Sequence, residues 1–138
     1  MQIPQDTEHS AQQTPHPVSP EAVDQFIDRW SNAGGTERAN YQLFLTGLCE
    51  LLGLPHPDPA TDDNADNAYV FERRVTIRHP DGSNNRGYID LYRRGSFVLE
   101  AKQTGKSLDT HGWDKAMLAA QNQADQYVRA LTGKEGRP

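Results

Sequence analysis

The sequence predicts a mixed α+β domain, and three observations carry that prediction. Apolar residues recur at helical spacing in two segments before residue 54 and in one after residue 110. Between residues 69 and 102 the period shortens to two, and turn-forming residues interrupt that stretch twice. A chain of 138 residues, 35% of them hydrophobic, is long enough for one domain with a modest core and leaves part of itself outside it.

Residues 1–18 are rich in Gln, Pro, Thr and Ser and hold almost nothing to bury, which predicts a disordered tail. The domain then runs over 19–133, with a short tail at 134–138. Ser19 can cap a helix, Pro20 suits its first position, and Glu21 stands near the positive end of the helix dipole. In that helix, EAVDQFIDRW, the residues Val23, Phe26, Ile27 and Trp30 share a face, and Asn32, Gly34 and Gly35 stop it. Thr36 caps a stronger helix, TERANYQLFLTGLCELLG. Its stripe of Ala39, Leu43, Leu48, Leu51 and Leu52 is broadened by Phe44 and Leu45. Gly53 ends it and Pro55 prevents resumption.

Residues 54–67 read as a proline-rich, then acidic loop, in which Asp58, Asp62, Asp63 and Asp66 lack the spacing of a calcium loop. YVFERRVTIRH is the first strand, and His79-Pro80-Asp81-Gly82 the turn after it. RGYIDLY is the second strand, Arg93 to Ser96 turn the chain, and FVLEAK is the third. A last helix, WDKAMLAAQNQADQYVRAL, sets Trp113, Met117, Ala120, Ala124, Tyr127 and Leu131 near one face before Gly133. Two helices, three strands and a helix make the order of a sheet covered by helices.

A net charge of −5 argues against an autonomous high-affinity nucleic-acid binder, because neutralising phosphate takes Lys and Arg. The cations are nevertheless concentrated. Arg73, Arg74, Arg78, Arg86, Arg93 and Arg94 fall in the strand region, where a solvated sheet edge guarded by arginine would look the same. Cys49 is the only cysteine, which excludes a disulfide framework and a cysteine zinc site; beside Leu48 and Leu51 it reads as a buried helical thiol. No apolar run approaches the ~20 residues that span a bilayer and no signal pattern opens the chain, so the expectation is a cytoplasmic protein with no membrane partner.

The segment GYIDLYRRGSFVLEAKQ (87–103) carries the chemistry. Alternation puts Glu100 and Lys102 on one side of the third strand with Val98, and Leu99 and Ala101 on the other. A hairpin centred on Gly95 sets Asp90 opposite Glu100 with Cβ atoms ~5 Å apart, where like charges destabilise a sheet. A divalent cation between the carboxylates removes that conflict. Hard oxygen donors without His or Cys favour Mg²⁺ or Mn²⁺ over zinc. Such an ion activates water and binds a phosphate oxygen, and Lys102 beside it is a point charge suited to a pentavalent transition state. That is the chemistry of phosphodiester hydrolysis. An Asp followed by Glu-x-Lys is by itself a weak motif. Its place in two strands about one tight turn, between helices, strengthens it.

In this α-β-β-β-α order, Asp90 and Glu100-Ala101-Lys102 resemble the PD-(D/E)xK nuclease signature. TERANYQLFLTGLCELLGLPHP, YIDLYRRGSFVLEAKQ and WDKAMLAAQNQADQY are similar to the N-terminal nuclease region of MmeI-like proteins, over about residues 20–132. These are bacterial restriction-modification and related phage-defence proteins that fuse a nuclease to an adenine-specific DNA methyltransferase. The resemblance implies a restriction-endonuclease-like core and a Mg²⁺- or Mn²⁺-dependent DNA endonuclease. It implies Asp90 and Glu100 as metal ligands, the Ala101 carbonyl as a third, and Lys102 as the catalytic lysine. Glu37 matches the additional acid that many superfamily members carry, and reads equally as a first-turn helix acid. Gln123 and Tyr127 match a Gln-x-x-x-Tyr motif that steadies DNA or the active site in related nucleases. One turn apart, they read equally as helix packing. Gln103, directly after the lysine, is typical of the superfamily and implies a contact to bound phosphate. Ile89 stands where the family's Pro precedes the Asp.

The family continues after the last helix with an apolar strand, a helical spacer, a methyltransferase and a target-recognition domain. This chain stops at GKEGRP, without an Asn-Pro-Pro-Tyr-type motif or a glycine-rich cofactor loop, so a core truncated before its next strand is expected. DNA is the implied partner. Methyltransferase and recognition domains or subunits would be supplied elsewhere, and S-adenosylmethionine would enter only through them. The alternative is a catalytically silent amino-terminal fragment of such a methyltransferase, acting as an interaction module.

Overall fold

Side-chain oxygens start all three α-helices of the computed structural model, which describes residues 18–131 and 135. Ser19 Oγ accepts from the Ala22 N–H at 3.2 Å, and Pro20 opens α1 (Pro20–Ser31). Thr36 Oγ1 accepts from Ala39 at 3.2 Å to start α2 (Glu37–Leu51), and Thr110 from Trp113 at 3.3 Å to start α3 (His111–Ala130). Each cap satisfies an N–H that the first turn leaves without a partner. The tails expected at 1–18 and 134–138 lie outside the described residues, but for Val18 and Glu135. No helix among the described residues is long and apolar enough to cross a membrane.

Three antiparallel strands lie between α2 and α3 in the order β1 (Tyr69–Arg78), β2 (Asn84–Arg93), β3 (Phe97–Leu99). The first turn is held by Asp81, whose Oδ1 accepts from the Ser83 N–H at 2.8 Å and from its hydroxyl at 2.6 Å, while Gly82 takes φ 85°. Gly95, at φ 65°, turns the chain from β2 to β3. The third strand is shorter than FVLEAK predicts. Cross-strand pairing ends at Leu91↔Leu99, and the next free amide, that of Ala101, donates to the Asp90 side chain instead of continuing the ladder.

Helices cover both faces of the sheet. On the α2 side, Leu45, Cys49, Tyr69 and Leu91 are buried, with Phe44, Phe71 and Leu99 packed against them; the Tyr69 hydroxyl donates to the Pro55 carbonyl at 2.7 Å. On the α3 side, Val75, Ile77, Ile89, Tyr92 and Tyr127 form the second cluster. Gly87 lies where a Cβ would come within 2.4 Å of the Tyr127 ring, so that strand position admits no side chain without displacing the tyrosine. Helix α1 rests on α2 through Phe26, Trp30 and Phe44, with the Phe44 ring 5.3 Å from each of the others. Of the apolar stripe expected on α2, Leu43 is 58% exposed: at 100° per residue it stands about 200° from Leu45, whose side alone meets the sheet. Leu52 is exposed too, as the cap beyond the last turn.

The strands exchange faces part-way along. Phe71 and Leu91 join the α2-side cluster, yet Ile89, two residues from Leu91, joins the α3-side cluster, and Arg73 stacks on Tyr92 of that cluster. Strict alternation would keep Leu91 and Ile89 on one side. The exchange falls at Glu72 and Asp90, and Glu72 has φ 52°, in the left-handed region that a side chain disfavours.

Candidate functional site

Beyond the Leu91↔Leu99 pair the next residues across the hairpin are Asp90 and Glu100, the opposition that a turn centred on Gly95 predicts. Their carboxylates engage the neighbouring main chain reciprocally. The Ala101 N–H donates to Asp90 Oδ2 at 2.9 Å, and the Asp90 N–H to Glu100 Oε1 at 3.3 Å. Both side chains are part-buried. Burial, and after it the charge of Asp90, push the Glu100 carboxyl from 4.5 up to about 7; the Asp90 N–H and Lys102 pull it the other way.

This shift fixes a pH dependence for the metal-free fold. Unfolded, Glu100 loses its proton near 4.5, and folded near 7, so across that window the native state holds the proton more tightly. Its contribution to stability is complete below the lower value and is lost as pH rises through about 7. For a half-exposed group the loss is on the order of 1–2 kcal/mol after solvent screening. Urea unfolding in chelator is expected to show this fall between pH 5 and 8, and Glu100→Gln to remove it. Asp90→Asn, which takes away the neighbouring charge, is expected to raise stability at pH 8. A lowered melting temperature for Asp90→Asn under those conditions would contradict the account.

Two residues not singled out in the sequence join the acids. Glu72 falls across from Asp90, between the Phe71↔Leu91 and Arg73↔Ile89 pairs. Tyr41, reaching over from α2, sets its hydroxyl beside the Glu72 carboxylate and within the field of Asp90. Burial raises the Tyr41 pKa first, and Glu72 and Asp90 add to the rise against a 3.1 Å hydrogen bond from Gln42, so the hydroxyl keeps its proton. The signal for Glu72 was present in the sequence: a hairpin centred on Asp81 puts it opposite Asp90. The signal for Tyr41 was its place one turn after Glu37 on α2.

Lys102 is exposed and lies past the end of β3, close enough for its charge to act on Glu100. With Ala101 and Gln103 it lines a cavity of about 250 Å³ against Trp30, Tyr41 and Phe44. Glu37 opens α2, but its side chain lies outside the described residues. Gln123 and Tyr127 do not line the cavity. Gln123 Nε2 donates to the Tyr127 hydroxyl at 2.7 Å, and the ring belongs to the α3-side core.

Among the described residues, no group of three or more His, Cys, Asp and Glu side chains gathers in a way that holds a metal by protein ligands alone. Asp90 and Glu100 offer two oxygen-donor side chains at one point. That set suits Mg²⁺ or Mn²⁺, which keep several waters and take one or two carboxylates, and does not suit zinc.

Comparison with known proteins gives one family. The model described as MmeI, N-terminal domain, matches residues 19–138. No curated protein matches, and neither does any solved structure.

Proposed function

The chain belongs to the family of MmeI N-terminal domains, which sets it in a restriction-modification context, and from that premise we propose that it is a Mg²⁺-dependent DNA endonuclease domain. The observation that carries the reading is the clasp of Asp90 and Glu100 across the β2–β3 hairpin, with Lys102 two residues on. Asp90 and Glu100 would hold the divalent ion, with the Ala101 carbonyl as a third oxygen. Glu37 stands at the start of α2 as a further acid. When bound, such an ion would supply an acidified water and charge neutralisation at the scissile phosphate. Lys102 would donate to the charge that builds on the phosphoryl oxygens. Gln103, next to it, contacts the same phosphate. Tyr41, whose hydroxyl meets the Glu72 carboxylate, keeps a protonated phenol within the field of Asp90. Gln123 acts at one remove, by orienting Tyr127 under the hairpin.

DNA is the partner in this reading, and the choice of sequence belongs to methyltransferase and recognition domains outside this chain. S-adenosylmethionine binds there and not here. Phage defence is the setting in which such a nuclease acts.

Two measurements test the reading together. Calorimetry with Mn²⁺ is expected to show one site in the wild type and none in Asp90→Asn/Glu100→Gln. Supercoiled plasmid is expected to be nicked or linearised in Mg²⁺ and untouched in chelator. A wild type that takes up neither Mg²⁺ nor Mn²⁺ refutes the metal site, and with it the nuclease.

A further inference from the structure

Six arginines crowd residues 73–94, and the structure divides them by environment. Arg73 is buried, stacked on Tyr92 and paired with Glu135. Arg93 lies over the Tyr69 ring, and Arg94 donates to the Asn64 and Ala65 carbonyls. These three serve the fold. The guanidinium groups of Arg74, Arg78 and Arg86 make no ion pair among the described residues, and all three side chains are exposed.

The strand register shows that they share a side. Arg74 pairs with Tyr88, Thr76 with Arg86, and Arg78 with Asn84. Alternation puts these six residues on one face of the β1–β2 ribbon, and all are exposed, Tyr88 by 52%. No carboxylate lies among them. The reverse face of the same rows is core, with Val75, Ile77 and Ile89 packed on α3. A cavity of about 760 Å³ at the edge of β1 takes in Arg74, Thr76 and Arg78 but reaches round to the α3 side, where Val75, Ile77 and Glu135 line it and Arg129 pairs with Asp125. Along β2 the exposed row runs Asn84, Arg86, Tyr88 and arrives at Asp90. At that point Tyr41 of α2 lies on the same side of the sheet.

We propose that this face is a phosphate track, on which the outer β1–β2 ribbon binds the backbone of duplex DNA and directs it toward the Asp90–Glu100 pair. The binding stands on the ribbon alone; only its destination rests on the nuclease reading. Four residue steps separate Arg74 from Arg78, about 13 Å at ~3.3 Å each. Each DNA strand carries a phosphate every ~3.4 Å of helix axis, so both cations reach phosphates of one strand without stretching it. Arg86 fills the interval from the neighbouring strand. Thr76, Asn84 and Tyr88 add uncharged hydrogen-bond partners, which position a backbone without reading sequence. The chain's net charge of −5 gives no general attraction for DNA, so affinity has to come from a local patch such as this one.

The test uses the full chain, a fluorescein-labelled duplex of about 20 base pairs and EDTA, with anisotropy read across a salt series. Cleavage is silent under these conditions. Each phosphate contact contributes a slope of about −0.9 in log K against log salt, so R74A/R78A/R86A is expected to flatten the slope by about 2.7. Binding at low salt should weaken about tenfold or more. Circular dichroism and Tm of the triple variant should match the wild type, because its three side chains are solvated. Lys115→Ala on α3 removes one charge elsewhere and should leave the slope alone. Equal slope and affinity in the triple variant overturn the proposal, as does a wild type that fails to bind the duplex. Tighter binding to an RNA duplex of the same sequence overturns the assignment to DNA. A domain that binds through the ribbon but never cleaves would sink the nuclease reading and leave this one standing.

Discussion

Lys102→Ala is expected to lower the single-turnover rate of Mg²⁺-dependent DNA cleavage by about 10²–10³-fold, the usual cost of removing one donor aimed at transition-state charge. The fold should not notice. Lys102 is exposed, lies outside β3 and packs no core. Tm, metal uptake and DNA affinity in EDTA should therefore stay near those of the wild type, so the loss falls on the chemical step. That separation distinguishes a catalytic lysine from one that merely attracts DNA, which would change affinity and its salt dependence first. Cleavage by Lys102→Ala at the wild-type rate would remove the lysine from the mechanism.

Glu135→Ala is expected to destabilise the domain by about 3–5 kcal/mol, the range for stripping one partner from a buried ion pair. Arg73 is 5% exposed and Glu135 11%. Burial already depresses the Arg73 pKa, and its Nε has no partner among the described residues. Glu135 also accepts from the Tyr92 hydroxyl at 3.2 Å, so its loss strands two buried donors. A domain of this size has roughly 5–15 kcal/mol in all, so the variant should be largely unfolded in mild urea. Replacing both partners at once, as Arg73→Met/Glu135→Leu, should cost far less, since burying two apolar side chains leaves no orphan charge. Urea midpoints for the single and double variants measure both effects. A single-variant loss under about 1 kcal/mol would mean that the pair is solvated.

Much of this frame was written in local signals. Ser19, Thr36 and Thr110 are good N-caps, and each opens its helix. The opposition of Asp90 and Glu100 was legible because a tight turn imposes mirror symmetry on its arms, and Gly95 marked the centre. The same symmetry about Asp81 would have brought in Glu72. Other features left no local trace. Val70 apart, the apolar positions of β1 (Tyr69, Phe71, Val75 and Ile77) stay odd-numbered on both sides of Glu72, so their alternation does not announce that the strand changes faces there. β3 stops early because a side chain captures the Ala101 amide, a tertiary event in a segment whose residues all suit a strand. The arginines are chemically identical, and only packing separates Arg73 beneath Tyr92 from Arg74 in water. Glu135 lies about sixty residues from its partner, amid Gly, Lys and Arg that suggest a tail.

The exchange of faces at Glu72 and Asp90 divides the long hairpin into two arms with separate obligations. The inner arm is hemmed in by helices above and below and carries the acids. The outer arm has one wall against α3 and is otherwise free. Residues can be added to or trimmed from its tip in matched pairs without shifting the inner rows, since antiparallel partners move together. A change in the length or charge of this lever therefore leaves the rows that carry Asp90 and Glu100 as they are.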